Sequence, residues 1–190
     1  MEMKMNKEQI KFLENELYSL SLQAANTRNS IYEKHAVNEK KENFNADLKK
    51  EIIKYAEKYK EEIPENEHYK NIVEISTIIS EKHSAILINK RYRIGNTQKL
   101  LNMYLKYLWC IDLVKLPPQM PVDGKILEEF KKRHKNEKNK EKRKNIEILD
   151  TKWTTIDNIE KYKKIIECIQ QFEIKNSLAE AELEMWNKKP

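Results

Sequence analysis

The sequence predicts an all-α fold: a single globular bundle of six or seven helices spanning 1–190. Three observations carry this. The chain has only 2 glycines and 5 prolines in 190 residues. All-β domains, Rossmann units and P-loops need more glycine, because tight turns and phosphate loops require positive φ and close backbone approach. Apolar residues recur at three- and four-residue spacing along most of the chain. Hydrophobic residues make up 39% of the composition, enough for one core, yet no run approaches the ~18 apolar residues of a membrane span.

The first helix is expected over 6–25, with Ile10, Leu13, Leu17 and Leu20 on one side. Asn6 precedes it and Gln9 follows three residues later, the pattern of a capping box. Residues 26 to 45 are polar and weakly periodic, with room for a short helix around Ile31 and Tyr32. A second helix starts at Asn45, carries Leu48, Ile52, Ile53, Tyr55, Ala56 and Tyr59, and stops at Pro64, which cannot continue the hydrogen-bond ladder. The apolar run from Glu67 to Asn89 reads as a helix breaking near Ser84. Gly95 marks a turn, and Asn96 or Thr97 caps a strongly apolar helix that continues through Val114. Pro117, Pro118 and Pro121 form a stiff extended connector. Asp123, a favoured capping residue, opens the next helix with Ile126, Leu127 and Phe130 inward. That helix runs into a highly charged, solvated segment at 131–150. A long last helix over 154–187, with a break near Asn176-Ser177, keeps the helical spacing from Ile156 to Trp186.

The net charge is +6, and its placement matters more than its size. Between Glu81 and Asp112 there is no acidic residue, while Lys82, Lys90, Arg91, Arg93, Lys99 and Lys106 all lie there. A second block, 131–144, sets nine cations, including Lys131, Lys132 and Arg133, against two carboxylates. Segregation of this kind suits a polyanion, because neutralising phosphates releases counterions. The first block is interleaved with Tyr92, Tyr104, Tyr107 and Trp109 and with the amides Asn96, Gln98 and Asn102. Lys90, Arg91, Arg93, Asn96, Gln98 and Asn102, with Lys131, Lys132 and Arg133, are therefore the expected nucleic-acid contacts, and DNA is the expected partner. The same aromatic stripe also reads as helix core, and the second block as a solvated helix end.

Gln98, Asn102 and Lys106 recur every four residues and share a helical face, with Lys99 beside them. Polar groups inside an apolar helix need partners. A lysine held against apolar walls has a depressed pKa and can act as a nucleophile, while a carboxylate handles protons. Lys99, Lys106 and Asp123 are the candidate catalytic residues on that ground. His35, His68, His83 and His134 lack metal-ligand spacing, so neither a metal nor another cofactor is expected. Cys110 and Cys168 read as buried reduced thiols, and the start of the chain shows no apolar signal core, which points to the cytoplasm.

The segment Arg93-Ile94-Gly95-Asn96-Thr97-Gln98-Lys99-Leu100-Leu101-Asn102-Met103-Tyr104-Leu105-Lys106-Tyr107-Leu108-Trp109-Cys110, followed by Pro117-Pro118-Gln119-Met120-Pro121-Val122-Asp123, resembles a family of uncharacterised bacterial and mobile-element proteins. The likeness covers 85–130, and a Trp153-Thr154 plus Leu178-Ala179-Glu180 ending is similar too. A fainter likeness links the chain to the helix-hairpin-helix DNA glycosylases. These all-α enzymes carry a lysine on a helix and, downstream of a short connector, an aspartate that starts another helix. That resemblance implies Lys99 or Lys106 as the lysine, Asp123 as the aspartate, and attack at the sugar carbon of a flipped nucleotide. The glycine-containing hairpin of that superfamily has no counterpart here. The alternative expectation is a non-enzymatic interaction module, such as a helical inhibitor or adaptor in phage–host conflict, pairing as a homodimer through Ile166 and Ile169 of the C-terminal helix.

Overall fold

The structure, a computed structural model, describes residues 5–27, 30–136, 146–172 and 177–187. Among them are seven α-helices and no strand: α1 (Lys7–Asn26), α2 (Asn38–Ala56), α3 (Glu65–His83), α4 (Ile94–Cys110), α5 (Gly124–Asn136), α6 (Ile159–Gln170) and α7 (Leu178–Asn187). None of them is long and apolar enough to cross a membrane.

The centre is α4. Every residue from Ile94 to Lys106 is buried, which is what a helix enclosed on all sides requires. It packs against α1, α2, α3, α6 and a single 3₁₀ turn, Trp153–Thr155. Leu100, Leu101, Tyr104, Leu105 and Leu108 join Phe44, Leu48 and Ile52 of α2, Ile72, Ile75 and Ile79 of α3, and Ile165, Ile166 and Ile169 of α6 in one core. Ile166 and Ile169 are thus fully enclosed in the core and offer no face for a second chain.

At the start of α1 the capping box forms as expected. Asn6 Oδ1 accepts from the Gln9 amide at 2.9 Å, and the Gln9 side chain returns the bond at 2.8 Å. The next stretch departs from expectation. Ile31 and Tyr32 are extended, with Tyr32 bridged antiparallel to Leu87, and α2 begins at Asn38, not Asn45. Ile31 is buried and its carbonyl accepts from Ile88. The first turns of α2 are Lys/Glu-rich, good helix formers with little apolar signal. The helix gives way to a 3₁₀ turn over Glu57–Lys60, so Pro64 does not end α2 but precedes α3.

Gly95 does not form a turn. It lies within α4, whose N-cap position is Arg93, and Asn96 and Thr97 are buried helical residues. A methyl group on Gly95 would lie 2.0 Å from the Trp153 carbonyl oxygen, so this glycine admits a neighbouring backbone. Its amide donates to the Ile156 carbonyl at 2.8 Å. α4 ends at Cys110, four residues early, where Asp112 takes a positive φ.

The last stretch forms two helices, α6 and α7, in keeping with the break expected near Asn176-Ser177, but the first of them starts at Ile159 and not at 154. Asn158 caps α6 by accepting from the Glu160 and Lys161 amides, and the chain from Trp153 to Asn158 is tied to Gly95 instead of continuing as helix. The charged segment is not wholly solvated. His134 is buried with its ring against Phe172, Leu149 joins the core, and Lys131 pairs with Asp150. Residues 137–145 lie outside the described residues.

Candidate functional site

The polar residues of α4 divide into two groups. Asn96, Gln98 and Asn102 face inward, and none is accessible to a nucleic acid. Asn96 Nδ2 donates to the Ala25 carbonyl at 3.1 Å, and Asn102 Nδ2 donates to the Tyr162 hydroxyl at 3.2 Å. Gln98 holds both backbone groups of Val122: its Nε2 donates to the carbonyl at 2.7 Å and its Oε1 accepts from the amide at 3.1 Å. A side-chain amide that pairs this way with a peptide unit fixes that unit's position and orientation. The proline connector is therefore clamped one residue before Asp123.

That clamp sets Asp123 beside Lys99. Lys99 Nζ donates to Asp123 Oδ2 at 2.8 Å, and the lysine side chain is only 6% exposed. The other oxygen, Oδ1, accepts from the Lys125 and Ile126 amides at 3.0 Å each, so Asp123 caps α5 as well. One carboxylate thus has two tasks, one per oxygen. Burial holds the Lys99 ammonium below its ordinary value, and the adjacent Asp123 charge offsets this only in part. Burial pushes Asp123 upward, but Lys99 and the two amides outweigh it and hold the carboxyl below its ordinary range.

Two turns further along α4, Lys106 Nζ donates to both oxygens of Glu182 on α7, at 3.0 and 2.9 Å. Both side chains are buried. The two ion pairs line one cavity of about 470 Å³, with walls from Met103, Tyr107, Trp153, Leu183, Trp186, the α1 residues Leu20 and Gln23, and Thr27 just past α1. The pairs also feel one another: the Lys106 charge lowers, and the Glu182 charge raises, the Lys99 ammonium. Lys106→Met leaves the Glu182 charge without its partner. We expect a loss of roughly 2 kcal/mol in urea unfolding, below the ~3–5 kcal/mol of a fully enclosed pair because the cavity admits water. Lys106→Met combined with Glu182→Leu should recover most of it.

All three candidate catalytic residues, Lys99, Lys106 and Asp123, meet at this cavity. Each of the expected cationic nucleic-acid contacts apart from Lys90 has a partner within the fold. Arg91 is half-exposed and pairs with Asp157 at 3.4 Å, while Arg93 donates to the Thr154 carbonyl at 3.2 Å. Lys90 is exposed. On α5, Lys132 pairs with Glu128 and Arg133 with Glu129, one helical turn back. Cys110 is exposed at the cavity wall, not buried, while Cys168 is buried.

The place of Glu182, Trp153 and Trp186 at the cavity is not read from the sequence. One signal pointed toward Glu182: two lysines inside an apolar helix with no acidic residue between Glu81 and Asp112 require carboxylates from remote segments. Nothing in the spacing says which. Among the described residues no group of three or more His, Cys, Asp or Glu could hold a metal ion.

Comparison of the chain with protein-family models, curated proteins and solved structures finds no match. Function must therefore be argued from the site itself.

Proposed function

We propose that the chain binds DNA and removes a base from it at this cavity, with Lys99 as nucleophile and Asp123 as its proton acceptor. The observation that supports this above all is the buried Lys99–Asp123 pair opening onto an aromatic-walled cavity. Its volume falls in the ~300–1,000 Å³ range of small-ligand pockets. Enzymes that act on a base must take it out of the stack and enclose it, and aromatic walls replace the lost stacking.

In the chemistry this reading implies, Lys99 Nζ in its amine form attacks the sugar C1′. The C1′–N bond breaks and its electron pair leaves with the base, which takes a proton from solvent. Asp123 accepts the proton shed by the new C–N nitrogen. Opening of the sugar ring then gives an iminium that borohydride reduces to a stable amine. The lowered ammonium of Lys99 raises the share of attacking amine near neutral pH.

The test is incubation of the protein with duplexes carrying damaged or deaminated bases in the presence of sodium borohydride. A covalent protein–DNA complex is the expected result; none across the panel would overturn the reading. Binding should also weaken steeply with salt. Arg91→Glu changes a half-exposed side chain and should cost about tenfold in affinity at low salt while leaving the fold intact. Exposed ion pairs are worth ~0–1 kcal/mol, so phosphates can displace the carboxylates now beside Arg91, Lys132 and Arg133.

A second reading, the non-enzymatic interaction module, draws on the large apolar side chains left exposed at Phe12 and Val37, away from the cavity. It expects a protein partner lost on Phe12→Glu, with no DNA binding.

A further inference from the structure

We infer that the Lys106–Glu182 end of the cavity reads the edge of the bound base, and that it selects a base presenting two adjacent N–H donors, as guanine does. The inference rests on the reading of this cavity as a nucleotide site. Lys99 and Lys106 are seven residues apart on one helix, about 10 Å along its axis at ~1.5 Å per residue. A base, measured from its sugar C1′ to its far edge and with a contact of ~3 Å at each end, spans about that length. With the sugar carbon at Lys99, the far edge of the base lies at Lys106 and Glu182.

Glu182 suits that edge. A carboxylate only accepts, and each oxygen has two lone-pair directions. Lys106 takes one bond from each oxygen, at 3.0 and 2.9 Å, so each oxygen keeps capacity toward the cavity that Glu182 lines. Two parallel acceptors match two adjacent donors. Guanine offers its ring N1–H beside its 2-amino group. Adenine sets a ring-nitrogen lone pair against one oxygen, and inosine lacks the amino group. Because Glu182 already pairs with Lys106 at 2.9 Å, the ligand need not bring a charge of its own. Trp186, half-exposed on α7 one turn beyond Glu182, supplies an aromatic wall for the base. Its ring has the Lys106 and Lys125 ammonium groups 5.7 and 5.4 Å from the centroid.

The experiment is calorimetric titration of the whole chain with free guanosine, inosine and adenosine. Guanosine should bind at least tenfold more tightly than either of the others, in line with the loss expected when a hydrogen-bonding site meets an analogue lacking a donor. Glu182→Gln, which sets an amide N–H₂ against the donor pair, should level the three affinities. Equal affinities, no heat from any nucleoside, or a preference that survives Glu182→Gln would each overturn the inference. If the Glu182 variant fails to fold, the guanosine-to-inosine ratio of the unaltered chain decides alone. A guanosine preference without any borohydride-trapped complex sinks base removal and leaves the reader standing. Trapping with equal nucleoside affinities does the opposite.

Discussion

Lys99→Gln is expected to abolish the borohydride-trapped complex completely while leaving the chain folded. Glutamine is slightly shorter than lysine and still donates an N–H toward Asp123 Oδ2, but it has no nucleophilic amine. Asp123→Asn makes the complementary cut. Asparagine is as good a helix cap as aspartate, so its side-chain oxygen can keep the Lys125 and Ile126 amides. What goes is the charge facing Lys99. Loss of a positioned proton acceptor costs about 10²–10⁴ in rate, so trapping should slow by that factor, and stability should fall by roughly 2 kcal/mol because the buried Lys99 loses its charged partner. The rate should rise with pH as Lys99 sheds its proton, and the rise should begin below the range of an ordinary lysine, since burial lowers that ammonium. Asp123, held below its ordinary value, stays ionised throughout. Lys106→Gln should retain trapping. If Lys106→Gln abolished trapping and Lys99→Gln did not, the nucleophile would be misassigned.

Gly95→Ala carries the largest expected effect on stability. The added methyl would meet the Trp153 carbonyl oxygen at 2.0 Å and its carbon at 3.1 Å, and both are backbone atoms that cannot rotate aside. Either α4 or the Trp153–Thr155 turn must move. Moving the turn breaks the Gly95 amide bond to Ile156 and shifts Trp153, a wall of the cavity. Overpacking in a filled interior costs ~1–3 kcal/mol, and more where backbone is displaced. A loss of about 3 kcal/mol or more in urea unfolding is expected, together with weakened nucleoside binding. Gly124→Ala is the control: its methyl would meet only the Trp153 side chain at 3.9 Å.

Much of the fold was legible because helical periodicity is local. The Asn6–Gln9 box, the break at Ser84, the proline connector and the Asp123 cap follow from side chains within a few positions of one another. The failures share one cause. Gly95 looked like a turn because a glycine's neighbours in the chain say nothing of a carbonyl 58 residues away in sequence, at Trp153. The helix expected from 154 starts only at Ile159, because Ile156 is held by that same glycine. At the site, Lys99, Lys106 and Asp123 could be singled out because charge in an apolar helix is conspicuous. Asn96, Gln98 and Asn102 were conspicuous for the same reason, yet they serve the interior: spacing does not distinguish a polar face turned toward a cavity from one bonded to neighbouring backbone. Glu182 sits in a helix with two other glutamates, Glu180 and Glu184, and only the packing of α7 picks it out.

Because α4 has no solvent-facing side over its first thirteen positions, the stretch bearing the lysine we propose as nucleophile is also the keel of the molecule. Selection cannot tune one without disturbing the other. Variation that alters ligand preference while sparing the fold is left to the peripheral walls: α1, α7 and the Trp153 turn. In a lineage of such proteins, novelty should accumulate there, while the middle helix drifts slowly.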